Sequence, residues 1–270
     1  MPTSSLISVI VSTYNRPDAL AAVVEGLFTQ TDRNFEILVV DDGSKDDTKA
    51  CVAALKARSP VPLEHIWQPD DGFRLAMARN QGIKAARGDY TVFLDGDCVP
   101  QTDFVAQHRR LAQPGSMVTG SRILLGKEFT HAVLAEKRDL QSLGALEKMS
   151  LRLNGGINKW LQLIVRFPDL GREQKKFSFR RIKGCNLGIW RRDLLAVNGF
   201  DESFTGWGHE DADIVLRLHN AGVTRKDGAF ATEVFHLWHP EAKRDEASSN
   251  LRIVKRRVED KTITAAKGVA

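Results

Sequence analysis

The chain has 270 residues, 42% hydrophobic and 27% charged, with a formal net charge of +5. That length can bury a substantial core as one large domain or two small ones. No stretch approaches the roughly 18–20 uncharged apolar residues of a bilayer-crossing helix, which excludes a membrane span of that kind. Met1 to Ser5 run into an apolar pattern with no basic region or cleavage site, so no signal peptide is expected. Cys51, Cys98 and Cys185 are odd in number and far apart, without paired metal spacing, and this predicts a reduced, cytoplasmic setting.

The charge is unevenly placed. Residues 127–183 hold 13 Lys/Arg against 6 Asp/Glu, residues 241–270 hold 8 against 5, and the remainder holds 18 against 23. An acidic body with a basic segment and tail suggests contact with something anionic: membrane lipid, a phosphorylated glycolipid or nucleic acid. An ordinary solvated helix face explains the same numbers, and both readings stand. No nucleic-acid-binding motif accompanies the charge, so no nucleic-acid partner is expected.

In chain order, residues 7–12 (ISVIVS) read as a buried strand. Asn15 and Pro17 mark a helix start, and Leu20, Val23, Val24, Leu27 and Phe28 give one apolar helical face. Residues 36–40 (EILVV) form the next strand, ending at Asp41-Asp42-Gly43-Ser44, and a helix follows from Asp46 to Arg58. Residues 74–87 read as a helix and 90–94 (YTVFL) as a strand that stops at Asp95-Gly96-Asp97. Strands alternating with helices predict a parallel, Rossmann-like sheet, whose ligands sit at the carboxyl ends of the strands. There is no G-x-G-x-x-G after the first strand and no Walker lysine loop, which counts against a dinucleotide or NTPase site.

From about Lys127 to Phe179 the alternation stops. Helical stretches such as 131–153, many cations and an apolar cluster from Trp160 to Phe167 predict an insertion, either an interfacial flap or a segment packed on the domain. The expected organisation is a nucleotide-binding half over 1–126, a basic helical insertion over 127–183, a catalytic half over 184–240 and a basic helical tail over 241–270.

Asp95-x-Asp97 at a strand end is short, and an acidic turn is the commoner explanation for such a pair. At this position, however, two carboxylates can hold a divalent cation whose remaining shell comes from a diphosphate. Asp42 ends a second strand, where a carboxylate can accept from a base N–H. It can also cap the following helix with Ser44, a role expected mainly of Asp46. Arg74 and Arg79 lie on the next helix, where a guanidinium can pair with phosphate or stay a surface cation.

The run Gly206-Trp207-Gly208-His209-Glu210-Asp211-Ala212-Asp213 carries more information. Its glycines permit close backbone approach, and an aromatic beside carboxylates suits a sugar, stacked on its apolar face and hydrogen-bonded at its hydroxyls. Capping at the start of the helix over 211–219 is the plainer alternative. His236 and His239 in VFHLWHP follow another strand, and a neutral imidazole there can complete a site begun by Asp97.

Together these blocks resemble family 2 glycosyltransferases of the GT-A fold. The resemblance rests on ISVIVSTYNRP, EILVVDDGSKDDT, ARNQGIKAARGDYTVFLDGD and KGCNLGIWRRDLLAVNGFDESFTGWGHEDADIVLRL. The last block is similar to the C-terminal module of β-1,4-galactosyltransferases, polypeptide GalNAc-transferases and chondroitin-type polymerases. The resemblance implies an α/β GT-A fold, with a mainly parallel sheet flanked by helices. It implies that Ser12, Asp42, Arg74 and Asp95 bind a UDP-sugar, with Arg79 a further nucleotide-binding candidate from its place on the helix, and that Asp97, with Asp95 and His236 (or His239), holds Mn²⁺ or Mg²⁺. Gly206, Trp207, Gly208 and Glu210 would frame the acceptor, with Asp211 as catalytic base of an inverting transfer. A glycan or glycolipid acceptor follows, as in bacterial surface polysaccharide or lipopolysaccharide synthesis, at the inner face of a membrane. The competing readings are a sugar-nucleotide nucleotidyltransferase, which needs a Gly- and Arg-rich loop where Ser12 to Pro17 stand, and a non-catalytic nucleotide-sugar-binding module.

Overall fold

The computed structural model describes residues 5–180, 182–204, 206, 208–240 and 247–270. The chain opens with β1 (Ile7–Thr13), α1 (Pro17–Phe28), β2 (Phe35–Asp41), α2 (Asp46–Ala57), β3 (Leu63–Trp67), α3 (Leu75–Ala85) and β4 (Tyr90–Asp95). Then come β5 (Cys98–Pro100), α4 (Phe104–Leu111), β6 (Ser116–Thr119), β7 (Ser121–Leu124), α5 (Lys127–Glu136), α6 (Ala145–Leu153) and the short β8 (Glu173–Gln174). The last part holds β9 (Asn186–Trp190), α7 (Arg191–Ala196), α8 (Glu210–Asn220), β10 (Thr224–Asp227), β11 (Glu233–His236) and α9 (Ala247–Asp260).

The main sheet has the order β3-β2-β1-β4-β9-β6-β10-β8, with its first four strands parallel. All seven residues of β1 and of β2 are buried, as expected of strands covered on both faces. The period of two sorts them: Ile7, Val9 and Val11 pack with Leu20, Val23 and Leu27 of α1, whereas Ile10 packs with Ile83 of α3 and Ile214 of α8. β9 lies antiparallel between β4 and β6, so a strand from the expected catalytic half closes the sheet of the nucleotide-binding half. A second sheet, β5-β11-β7, carries Cys98 opposite His236 and His236 opposite Leu124.

Three expectations change. The helix read over 131–153 is two helices, α5 and α6. Lys137 takes a left-handed φ of 49° and ends the first, because Leu140 and Leu143 must turn into the core. Asp46 is not the cap of α2: it is the first helical residue, after Lys45, and makes no side-chain cap bond. It sits instead with Asp47 in the first turn, where the helix dipole favours acids. The tail is not merely a solvated basic helix, since α9 buries Asn250, Val254 and Arg257, and Arg257 bridges Asp201 and Asp213.

The 127–183 segment is largely packed: Phe129, Val133, Leu140, Leu143, Ile157 and Leu163 join the core formed by β1, β2 and α1. Among the described residues no helix is long and apolar enough to cross a membrane.

Candidate active site

Adjacent parallel strands bring Ser12, Asp42 and Asp95 to one end of the sheet. Ser12 is registered with Val40 on one side and with Asp95 on the other, and Asp42 follows β2 directly. The Ser12 hydroxyl donates to Asp95 Oδ1 at 3.0 Å. Gly96 donates its N–H to Ser12 O at 2.7 Å, and a Cβ there would lie 2.7 Å from the same oxygen, so the residue between the two acids has to be glycine.

Asp42 is buried and accepts from Gln68 Nε2 at 2.6 Å and from the Arg74 backbone N–H at 2.7 Å. Burial pushes its carboxyl above the ordinary range, and these bonds only partly offset it. The Arg74 guanidinium turns to Pro69 O and to Asp71 (3.4 Å), so Arg74 stays on the Asp42 side of the site.

Arg79 enters the centre instead. One turn of α3 beyond Arg74, it is 1% exposed and donates to Asp95 Oδ1 (3.0 Å), Glu210 Oε1 (3.2 Å) and Gly184 O (3.3 Å). The Phe200 ring covers it at 5.1 Å. Burial opposes its charge, but the carboxylates of Asp95, Glu210 and Asp211 outweigh that and hold the guanidinium charged.

Glu210 and Asp211 begin α8 and diverge. Asp211 accepts from Gly184 N at 2.8 Å and from Ala212 N at 2.7 Å. Glu210, 13% exposed, is pushed up to about 7 by burial and by the negative charge of Asp211, against the pull of Arg79. Gly206 and Gly208 take φ values of 69° and 109°, which a side chain resists, and His209 enters the helix at 71°. Trp207 lies outside the described residues.

On the other flank, ligand atoms of Asp97, Cys98 and His236 lie within 4.8 Å of one another. Asp97 Oδ2 is 3.8 Å from His236 Nε2 and 3.1 Å from His239 Nε2. Burial would raise Asp97, but the His239 hydrogen bond and the two imidazoles hold it low. Burial lowers His236, keeping its imidazole neutral, as a ligand must be. Burial drives the Cys98 thiol well up, so it remains a thiol and a poor ligand. The remaining donors, carboxylate and neutral imidazole, suit a hard divalent ion such as Mn²⁺ or Mg²⁺ completed by phosphate oxygens. Asp95 is not in this cluster; Ser12 and Arg79 occupy its Oδ1.

The structure adds residues that no local motif revealed. Arg122 on β7 is registered with Val234, on the same face as His236, and its guanidinium lies in the field of Cys185, Cys98 and Asp95, which holds it charged against burial. Asn250 of α9 donates to Gly208 O at 2.9 Å and so steadies the glycine-flanked loop before α8. Both lie far from the motifs in sequence and become visible only when β7 and α9 are in place.

Residues 8–170, more than half of the chain, match the model of Glycosyl transferase family 2, and the chain belongs to that family. Residues 170–240 match a second model, described as the N-terminal domain of galactosyltransferase, which agrees with the resemblance of the terminal block. The first match continues through most of the 127–183 segment. A validoxylamine A glucosyltransferase of Streptomyces hygroscopicus subsp. jinggangensis is 31% identical over 81% of this chain and 52% of its own length. The chain spans about half the length of the first curated relatives it matches. Among solved structures, S. aureus TarS with UDP aligns with a TM-score of 0.64 at 14% identity, over 97% of this chain and 67% of that one. The mannosyltransferase PcManGT from Pyrobaculum calidifontis, with GDP-Man and Mn²⁺, gives 0.57 at 18% identity, over 95% and 62%. The fold is GT-A, in keeping with the glycosyltransferase family to which the chain belongs.

Proposed function

We propose that the enzyme transfers a hexose or N-acetylhexosamine from a UDP-sugar to a hydroxyl of a glycan or glycolipid, with inversion, in the assembly of a surface polysaccharide. The observation that carries this is the Arg79 guanidinium, which ties Asp95 at the end of β4 to Glu210 at the start of α8. A donor bound over the strand ends thereby faces an acceptor held by the glycine-flanked loop.

Asp42, buried and hydrogen-bonded, is placed to accept from a uracil N–H, with Ser12 and Asp95 towards the ribose. Asp97 and His236 would hold the divalent cation, which neutralises charge on the departing diphosphate. Asp211 takes the proton of the acceptor hydroxyl as that oxygen bonds to the anomeric carbon. The bond from that carbon to the β-phosphate oxygen breaks, and UDP leaves with the electron pair. One observation favours a second assignment of the base. Glu210 is held near 7, close to working pH, which is where a general base is most effective.

The acidic sites at two strand ends suit the nucleoside-diphosphate group that both structural neighbours carry, one as UDP and one as GDP-Man with Mn²⁺. No Gly- and Arg-rich loop follows β1, which disfavours nucleotidyl transfer. The test is a screen of UDP-, GDP- and dTDP-sugars with Mn²⁺ or Mg²⁺ over simple glycan acceptors, with product anomericity read by NMR. Turnover of a UDP-sugar with inverted configuration is expected. Preference for a GDP-sugar, retention of configuration or absence of turnover would overturn the corresponding part.

A further inference from the structure

α6 is unlike every other helix of comparable length here: none of its nine residues is buried. Helices this short have little stability alone and normally gain it by packing an apolar face. Leu151 does lean on the main core. At about 100° per residue, Leu146, Met149 and Leu153 fall within about 60° of one another on the opposite side. Leu146 is 79% exposed, Leu153 81% and Met149 39%. In the 3-10 turn that follows, Leu161 and Ile164 are also nearly half exposed.

The charges around this stripe have one sign left over. Glu147 is neutralised by Arg138, whereas Arg152 at the edge of the stripe and Lys148, one turn earlier and further round the helix, have no carboxylate partner among the described residues. The surrounding segment, 127–183, carries the chain's largest cation excess, 13 to 6. An apolar stripe with a cation at its edge, in a segment of net positive charge, complements the acyl boundary and headgroups of an anionic bilayer.

The placement is also informative. Gln141, just before α6, donates to Pro100 O of β5, and Asn158, just after it, accepts from Leu124 N of β7. The segment is thus bonded at both ends to the small sheet that carries Cys98 and His236.

We propose that the Leu146–Met149–Leu153 face of α6, with Arg152 at its edge and Lys148 beyond it, docks on an anionic lipid bilayer and holds the small sheet that carries His236 close to the membrane. The acceptor that this arrangement serves is a lipid-linked glycan. That part rests on the glycosyl-transfer reading, and the docking does not.

The test is sedimentation of the full chain with vesicles of phosphatidylglycerol and phosphatidylcholine, against phosphatidylcholine alone, at low and high salt. Preference for the anionic vesicles is expected, weakened by salt. Leu146→Ser with Leu153→Ser should lower partitioning by about tenfold or more, and Lys148→Glu with Arg152→Glu by a similar factor. Hydrolysis of the donor sugar by water should be unchanged in both double variants, showing that fold and site survive. Vesicle binding without any sugar turnover would support docking while removing the transfer reading. No preference for anionic vesicles, or binding unchanged in both double variants, would overturn the proposal. So would a wild-type dimer that the leucine double variant converts to monomer in the ultracentrifuge, because the face would then belong to a second copy.

Discussion

Arg79 Nη1 lies 3.2 Å from Glu210 Oε1, joining two residues 131 positions apart, while Nη2 of the same guanidinium lies 3.0 Å from Asp95. One buried cation therefore fixes the distance between the acid at the end of β4 and the acid at the start of α8. A lysine has the charge but not the fork, so it cannot serve both carboxylates at once. Arg79→Lys should lower kcat by about tenfold or more and raise the acceptor KM. Arg79→Ala should also destabilise the fold by about 3–5 kcal/mol, because two carboxylates lose their buried partner. Steady-state kinetics and chemical denaturation read the two effects. A lysine variant with wild-type kinetics would show that the bridge is only structural.

Metal dependence is expected to follow Asp97 and His236. Asp97→Ala should abolish Mn²⁺ binding in calorimetry performed with UDP present, and with it the transfer, while leaving the thermal midpoint near that of the wild type. His236→Ala should weaken Mn²⁺ binding more than His239→Ala, since His236 shares the donor cluster and His239 points one nitrogen at Pro240 O. Full activity in excess EDTA would remove the metal from the reaction.

The strand ends were legible because β1, β2 and β4 are mainly apolar runs, the last two stopping abruptly at acids, and a parallel sheet has to line up such ends. The glycines around Trp207 were legible for a similar reason, since a positive φ leaves its mark on residue type. What stayed hidden depends on tertiary placement. Arg74 and Arg79 stand five residues apart at the start of one helical stretch, and only the fold shows that the Arg79 guanidinium reaches Asp95 and Glu210 while that of Arg74 turns to Pro69 O and Asp71. Arg122 reaches the site from a strand of the second sheet, and no local pattern announces that sheet. The continuous helix over 131–153 fails because Leu140 and Leu143 are drawn into the core, which helical propensity alone does not register.

The C-terminal helix should prove essential to the acceptor side. Arg257 spans Asp201 and Asp213, and Asp213 also holds Arg217 at 2.7 Å, so the anchor of α8 depends on α9. Arg257→Ala leaves two buried carboxylates short of a partner and should cost about 3–5 kcal/mol in denaturant unfolding. Asn250→Ala removes the bond to Gly208 O. It should raise the acceptor KM several-fold with unchanged UDP affinity, and an unchanged acceptor KM would mean that the loop holds its shape without α9.

The last prediction separates Asp211 from Glu210. Asp211→Asn keeps the shape and a hydrogen-bonding oxygen for Gly184 N–H but loses the basic carboxylate, so kcat should fall by at least about 10²-fold with donor affinity little changed. Glu210→Gln should raise the acceptor KM as well as slow turnover. The pH dependence is a sharper measure. Glu210 is held near 7, against an ordinary 4.5, by burial first and by the Asp211 charge second. The folded protein therefore keeps a proton that the unfolded chain releases between about 4.5 and 7, and stability falls as pH rises through that window. Glu210→Gln should flatten this part of the stability profile. In activity, an ionised Glu210 is needed to accept from the acceptor sugar, so kcat/KM should climb through a midpoint near 7 in the wild type. Asp211→Asn removes one of the two causes of the raised value, so the residual activity of that variant should climb at lower pH. A limb that stays near 7 in Asp211→Asn and disappears in Glu210→Gln, with kcat of the asparagine variant close to wild type, would make Glu210 the base. A limb that moves down, with kcat collapsed, assigns the proton transfer to Asp211.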